Sequence, residues 1–200
     1  MINTRTVPVR DRFASGPIDV LMAVTLDDCN SGVRTAVTIT TERYETDAPI
    51  GIVSDTHGLL RDEALALLAD CRPLIHLGDV GDPVILERLA DLAPVYAIRG
   101  NIDRDGPCAS LPLHRKLMIN GRTLQLVHDI ADIDETMDFD AVLYGHSHKP
   151  HQTWRERDGR PCLDFNPGAA GKRRFRLPIT LGKLWIDSGG IRSAIIHLPL

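Results

Sequence analysis

Closely spaced cysteines are missing from this sequence. Its four, Cys29, Cys71, Cys108 and Cys162, lie far apart and make no C-x-x-C pair. That argues against a zinc knuckle and against a disulfide framework, and it fits thiols kept reduced in a cytosol. No apolar run approaches the length of a bilayer span. The first residues lack the apolar stretch of a signal peptide, interrupted as they are by Asp11 and Pro17. Together these absences predict a cytoplasmic protein with no membrane partner. An excess of positive charge is missing too: 23 Lys and Arg stand against 27 Asp and Glu, so general nucleic-acid binding is not expected. The two tryptophans, Trp154 and Trp185, read as packing residues rather than a base-stacking platform. There is no internal repeat and no low-complexity run.

What is present suits one soluble domain with a full core, 200 residues long, with a small additional piece at its start. Residues 1–48 differ in texture from the rest. Ile18 to Leu26 and Val33 to Thr41 are strand-like, joined by the turn-forming run Asp27 to Gly32. This extension is expected to be either a hairpin or a disordered leader, and the domain proper to run from 49 to 200.

From Pro49 onward the pattern is regular. Ile50 to Val53, Leu74 to Leu77 and Val95 to Ile98 are short apolar runs without helical period. Between them, Asp62 to Cys71 places Leu65, Leu68 and Cys71 on one stripe, with acids in the first turn. Asp82-Pro83 opens a second helix, with Ile85, Leu86, Leu89 and Leu92 inward. Strand, helix, strand, helix, strand predicts βαβ units and a parallel sheet. Further on, Leu113 to Ile119 and Thr123 to His128 flank the hairpin signal Asn120-Gly121. Ala131 to Met137 is expected to be a short helix. Ala141 to Tyr144, Cys162 to Phe165, Thr180 to Ile186 and Ser193 to His197 read as strands, so the second half is expected to be mostly antiparallel. Two packed sheets with helices outside is the predicted architecture.

Five of the apolar runs end in a metal-type ligand: Asp55-x-His57, Gly78-Asp79, Gly100-Asn101, His128-Asp129 and Gly145-His146-x-His148. In open α/β sheets, sites form at the carboxyl ends of strands. Taken singly, each residue has a plain explanation. Asp55 could cap a turn, Asp79 and Asn101 could tolerate a tight one, and His128 could be a hydrogen-bonded core histidine. Five coincidences at five strand ends are harder to accept. Two carboxylates, one amide and four imidazoles exceed what one four-coordinate zinc needs. They fit two divalent metals about 3.5–4 Å apart, able to clamp the attacking and leaving oxygens of a displacement at phosphorus. This donor mix suits Mn, Fe, Zn, Co or Ni better than Mg or Ca.

In these motifs and their order, with Asn166-Pro167-Gly168 added, the chain resembles the calcineurin-like metallophosphoesterases. It is most similar to their small single-domain bacterial and archaeal branch, from about Pro49 to Leu200. The resemblance implies a four-layer α-β-β-α sandwich with two mixed sheets and a dinuclear metal centre, manganese first among the candidate ions. It implies that Asp55, His57 and His148 hold one metal, that Asn101, His128 and His146 hold the other, and that Asp79 bridges them. Asn166-Pro167-Gly168 would close a loop near the site, and Asp103 would orient a ligand or that region of backbone. The implied activity is hydrolysis of a small phosphodiester by a hydroxide. The alternatives are a phosphomonoesterase and a non-catalytic scaffold on the same fold.

The chain departs from the family pattern in two places. Where many members carry a proton-donating His after the Asn, it has Ile102, which cannot donate; aryl leaving groups would suffer least. After the fourth-strand His it has Asp129, which either backs His128 or faces solvent. Asn101, Arg173 and Arg174 are the expected substrate contacts, since Arg suits phosphate and the run 172–176 follows the Asn166-Pro167-Gly168 loop. The plain explanation of that run is a solvated basic loop. His114 and His151 stand outside the motif order and are expected at the surface. Oligomeric state is open, although exposed edge strands would allow pairing.

Overall fold

The computed structural model describes residues 41–174 and 176–199. The expected hairpin at 18–41 falls, but for Thr41, outside the described residues. The described chain folds as two packed sheets. One has five strands: β2 (Ile50–Val53), β3 (Leu74–His76) and β4 (Val95–Ala97), all parallel, followed in the order β11-β10-β2-β3-β4 by β10 (Thr180–Asp187) and β11 (Gly190–His197). β10 runs antiparallel to both β2 and β11. The helices α1 (Asp62–Leu68) and α2 (Val84–Ala90) are the crossovers between the parallel strands. This is the predicted βαβ series, with its termini trimmed by up to three residues.

The alternation inside β2 shows why the strands sit where they do. Ile50 and Ile52 join the core shared with the second sheet, while Val53 joins the core under the helices. Gly51, between them, lies so near α1 that a Cβ there would meet Leu68 Cδ2 at 2.5 Å and Leu74 Cδ2 at 2.7 Å. Period two therefore presents one side chain row to each neighbour. On the helix side, Leu68, Cys71, Ile85, Leu86 and Leu89 are buried as the helical period predicts, and Ala64 is buried with them. Leu65 and Leu92 are only partly buried. The Asp82 carboxylate accepts from the Val84 N–H at 3.0 Å, which gives α2 its start.

The other sheet has six strands in the order β1-β5-β6-β7-β9-β8. They are β1 (Thr41–Tyr44), β5 (His114–Ile119), β6 (Arg122–Val127), β7 (Ala141–Leu143), β8 (His151–Arg157) and β9 (Arg160–Asn166). It is more parallel than the sequence pattern suggests. β1 with β5, β6 with β7 and β7 with β9 are parallel pairs; only the two hairpins, β5-β6 and β8-β9, are antiparallel. The sequence shows adjacent strands but not which of them pair. Leu117, Leu124, Leu143 and Phe165 from this sheet meet Ile50, Ile75 and Tyr96 from the other, and so form the layer between the sheets.

Two local expectations are corrected. Ala131 to Met137 is not a helix. A 3-10 turn spans Ile130–Asp132, and beyond it the Asp134 carboxylate binds the Thr136 N–H and hydroxyl at 2.9 and 2.6 Å. Short polar side chains that bond nearby backbone compete with a helix in this way. Ile133 and Met137 from this segment, and Phe139 just beyond it, cover the outer face of the six-stranded sheet against Val142, Tyr144 and Cys162. The second concerns Trp154, expected to pack: it is 46 % exposed on β8, a strand most of whose residues are exposed and which therefore carries no alternation. No helix among the described residues is long and apolar enough to cross a membrane.

Candidate metal centre

The carboxyl ends of β2, β3, β4, β6 and β7 meet at one edge of the sandwich, and all seven predicted donors gather there. Backbone conformation shows how unusual this edge is. Asp55, His57, Asp79, His146 and His148 all have positive φ, between 47° and 64°. Residues with a Cβ rarely adopt this left-handed region, and such strain collects at functional sites. Close approach demands glycine beside them. A Cβ on Gly100 would lie 2.1 Å from Asp79 Oδ1, and one on Gly145 would lie 2.9 Å from Asp55 Oδ2.

The donors fall into two halves around Asp79. Its Oδ2 lies 3.6 Å from His57 Nε2, and its Oδ1 lies 3.3 Å from His128 Nε2. On the first side, His148 Nε2 is 3.4 Å from Asp55 Oδ1, and His57 Nε2 is 3.9 Å from the same oxygen. On the second side, Asn101 Oδ1 sits 3.1 Å from His128 Nε2 and 3.0 Å from His146 Nδ1. Two trios, Asp55 with His57 and His148, and Asp55 with Asp79 and His128, each offer atoms mutually within 4.8 Å. Asp55 thus leans toward both halves.

The donor set fits a cation on this structure's own terms. Both carboxylate oxygens of Asp55 and the Nδ1 of His148 are buried without a hydrogen-bond partner. A buried carboxylate with neither hydrogen bond nor counter-charge is costly. Burial accordingly pushes the Asp55 pKa up to about 6, and pushes that of His148 down to about 4. His57 is also lowered by burial, with the Arg174 charge adding to the effect. Burial works to raise Asp79, but hydrogen bonds from His128 and the Ile102 N–H prevail, and it stays below the ordinary carboxylate value. His128 is raised: burial opposes its charge, and the contacts with Asp79 and the Leu77 carbonyl outweigh it.

The supporting residues are equally specific. His128 Nδ1 lies 2.7 Å from the Leu77 carbonyl, to which it donates, leaving Nε2 free to face the donors. Asp103 is buried and accepts from three backbone N–H groups, those of Gly81 (2.9 Å), Gly100 (3.0 Å) and Val80 (3.1 Å). It therefore ties the loop carrying Asp79 to the loop carrying Asn101. Asn166 donates to the Gly145 carbonyl at 2.7 Å and to Ser147 Oγ at 3.2 Å, and accepts from the Gly168 N–H at 2.8 Å. It clamps the loop that carries His146 and His148.

Arg174 is exposed but close enough for its charge to act on His57 and His148. Arg173 is exposed. Ile102 is 41 % exposed beside Asn101. A cleft of about 380 Å³ opens from Asn101, His128 and His146 toward Arg99, Arg104 and Leu113. A larger one, about 520 Å³, lies at the opposite end of β2, between Glu45–Ala48, Trp185 and Arg192, and holds none of the donors. His114 and His151 are exposed.

Two features escape a reading of the sequence. His76 is fully buried with its Nε2 2.9 Å from Thr56 Oγ1, and burial lowers its pKa to about 4. Together they brace the first two turns, since Thr56 also reaches the Val80 carbonyl at 3.0 Å. The only signal was an imidazole inside an apolar strand, two residues before Gly78. The second is Asp129, whose carboxylate faces His146 at 3.5 Å, rather than backing His128 or only facing solvent.

Comparison with known proteins shows the family. Residues 49–189 match the model of the calcineurin-like phosphoesterase superfamily domain. The chain is 33 % identical over 138 residues to a probable metallophosphoesterase of Methanocaldococcus jannaschii, covering 60 % of this chain and 67 % of that protein. Among solved structures, the E. coli phosphoesterase Yfce superposes with TM-score 0.55 at 23 % identity, over 76 % of this chain and all of the other. Vacuolar protein sorting 29 from Cryptosporidium parvum gives 0.57 at 18 % identity, over 76 % and 98 %. These two likenesses speak for the fold.

Proposed function

Because this chain belongs to the calcineurin-like phosphoesterase superfamily, we propose that it is a metal-dependent hydrolase that cuts phosphodiester bonds at a centre of two divalent ions. The observation that carries the reading is the division of donors around Asp79, one oxygen toward His57 and the other toward His128. In this reading Asp55, His57 and His148 hold one ion and Asn101, His128 and His146 hold the other, with Asp79 between. Such a pair of ions supplies a hydroxide near neutral pH and neutralises charge on the phosphoryl oxygens. Manganese is the first choice, with iron, zinc, nickel or cobalt also matched by the mixed nitrogen and oxygen donors.

The chain's own residues supply position and charge. Asp103 and Asn166 hold the donor loops through backbone groups, so the donors need not reorganise when substrate arrives. Arg174, and Arg173 beside it, present guanidinium groups to a phosphoryl anion on the first side; Asn101 offers its amide on the second. Ile102 has no proton to give a leaving group. The favoured substrates are therefore diesters whose leaving oxygen departs as an anion, aryl oxides first. A cytoplasmic setting belongs to the same reading, supported by Cys71, Cys108 and Cys162 being buried free thiols.

The deciding experiment uses metal-stripped protein, with manganese added back in measured equivalents. It follows hydrolysis of an aryl phosphodiester and an aryl phosphomonoester, with bound metal counted by mass spectrometry. Activity that returns near two equivalents and prefers the diester is expected. A monoester preference would make it a phosphomonoesterase. Two bound ions without turnover of either substrate would make it a binding scaffold.

A further inference from the structure

We infer that Asp129 is a positioning residue for His146, receiving the Nε2–H of its ring and so holding Nδ1 toward the second half of the donor cluster. The inference rests on the two-metal reading of that cluster, but its geometry stands by itself. His146 is the least enclosed of the four imidazoles, with its side chain 49 % exposed, and it sits on a loop at φ 64°. An imidazole this open turns freely unless something holds its far edge. Its Nδ1 lies 3.0 Å from Asn101 Oδ1, inside the cluster. Its Nε2 lies 3.5 Å from Asp129 Oδ2, outside it.

A neutral imidazole carries one N–H and one lone pair, and only the lone pair binds a metal. His146 therefore serves the cluster when the proton sits on Nε2. His128 meets the same requirement in another way: its Nδ1–H goes to the Leu77 carbonyl at 2.7 Å, and its Nε2 faces inward. His128 follows a strand and has a carbonyl of the neighbouring sheet at hand. His146 lies beyond the end of β7, and the acceptor that faces its outer nitrogen is the Asp129 carboxylate. That carboxylate is itself held, since Oδ1 accepts from the Ala131 N–H at 3.0 Å at the start of the 3-10 turn. One oxygen fixes the side chain; the other fixes the ring. A carboxylate behind a ligating histidine also makes the ring a stronger donor.

Two variants separate this role from the turn cap. Asp129→Ser keeps an oxygen for the Ala131 N–H but is too short to reach His146. Asp129→Asn keeps length and cap, yet with its oxygen on Ala131 it turns an NH₂ toward the ring and favours the lone pair on the wrong nitrogen. Nitrogen-15 shifts of the His146 ring in metal-free protein report the tautomer; calorimetric titration with manganese reports each binding step. Both ring nitrogens of wild type face an acceptor, Asn101 Oδ1 and Asp129 Oδ2, so it is expected to carry Nε2–H, and Asp129→Asn to carry less Nε2–H and more Nδ1–H. Both variants should weaken the second manganese about tenfold to a hundredfold and leave the first within about twofold. An unchanged tautomer, together with an unchanged second affinity, would overturn the inference. If wild type takes up only one manganese, the two-metal reading fails. The tautomer comparison then decides this inference alone, a shift in Asp129→Asn supporting it and identical populations refuting it.

Discussion

His57 and His148 face each other with their Nε2 atoms 3.2 Å apart, their rings stacked within 14° of parallel and centroids at 5.0 Å. Burial lowers the pKa of both. Two neutral rings cannot both point lone pairs at one place without a proton or a cation between them. Metal should therefore stabilise the fold strongly. With free manganese about a hundredfold above its dissociation constant, linkage gives about 2.7 kcal/mol per site. For a domain of this size that is a rise of about 5–10 °C in melting temperature per site. Calorimetry of His57→Ala or His148→Ala should show one site's share of that rise lost and the other's kept.

Asp55 supplies a test whose sign changes with metal. Its pKa, about 6 in the fold, stands above the 3.8 of an ordinary Asp. Its contribution to stability is then complete below about pH 4 and lost as pH rises through about 6. Asp55→Asn removes that loss. In metal-free protein at pH 8 the variant should be more stable than wild type, by about 3 kcal/mol at most, and the gain should vanish toward pH 4. With manganese present the order should reverse. Urea unfolding at pH 4, 6 and 8, with and without metal, measures all of this.

Asp103 binds three buried or half-buried backbone N–H groups. Asp103→Ala leaves those donors stranded, at a cost of about 3–5 kcal/mol. Because they lie on the loops of Asp79 and Asn101, manganese affinity should fall as well, although Asp103 is not a donor itself. Urea unfolding and metal titration of the variant test both parts.

Ile102, next to Asn101, has 41 % of its surface exposed; its backbone N–H donates to Asp79 Oδ1 at 3.1 Å and its carbonyl accepts from the Arg104 N–H at 2.8 Å. A proton donor there should help leaving groups that need one. Ile102→His is expected to raise turnover of an alkyl phosphodiester about a hundredfold or more, the low end of what general acid catalysis provides. Aryl diester turnover should change little. The ratio of the two rates, measured on one preparation, is the readout.

Much of this protein could be read from its residues in order. Short apolar runs without helical period, each closed by Gly or a polar residue, located β2, β3, β4, β6 and β7 and the donor at the end of each. Asp62 to Cys71 and Asp82 onward showed both helices, because a helix buries one stripe and its period is visible locally. β8 left no such trace, since a strand exposed along nearly all its length has no alternation to detect. Ala131 to Met137 misled because Asp134 and Thr136 bond each other rather than extending a helix.

Residue type and strand-end position determined which side chains could bind metal, as both are properties of the chain taken a few residues at a time. Tertiary structure decided how they divide. That Asp79 turns one oxygen to His57 and one to His128, that Asp103 ties two loops, and that Asp129 faces His146 and not its neighbour His128, all depend on strand pairing and on the packing of the two sheets. Pairing of β2 with β3 and β4, and of β6 with β7, lines up strand ends within each sheet, and packing of one sheet on the other brings together residues up to about ninety apart, from Asp55 to His146. Pairing between distant strands is set by the packing of two whole sheets, and no local stretch of sequence carries it.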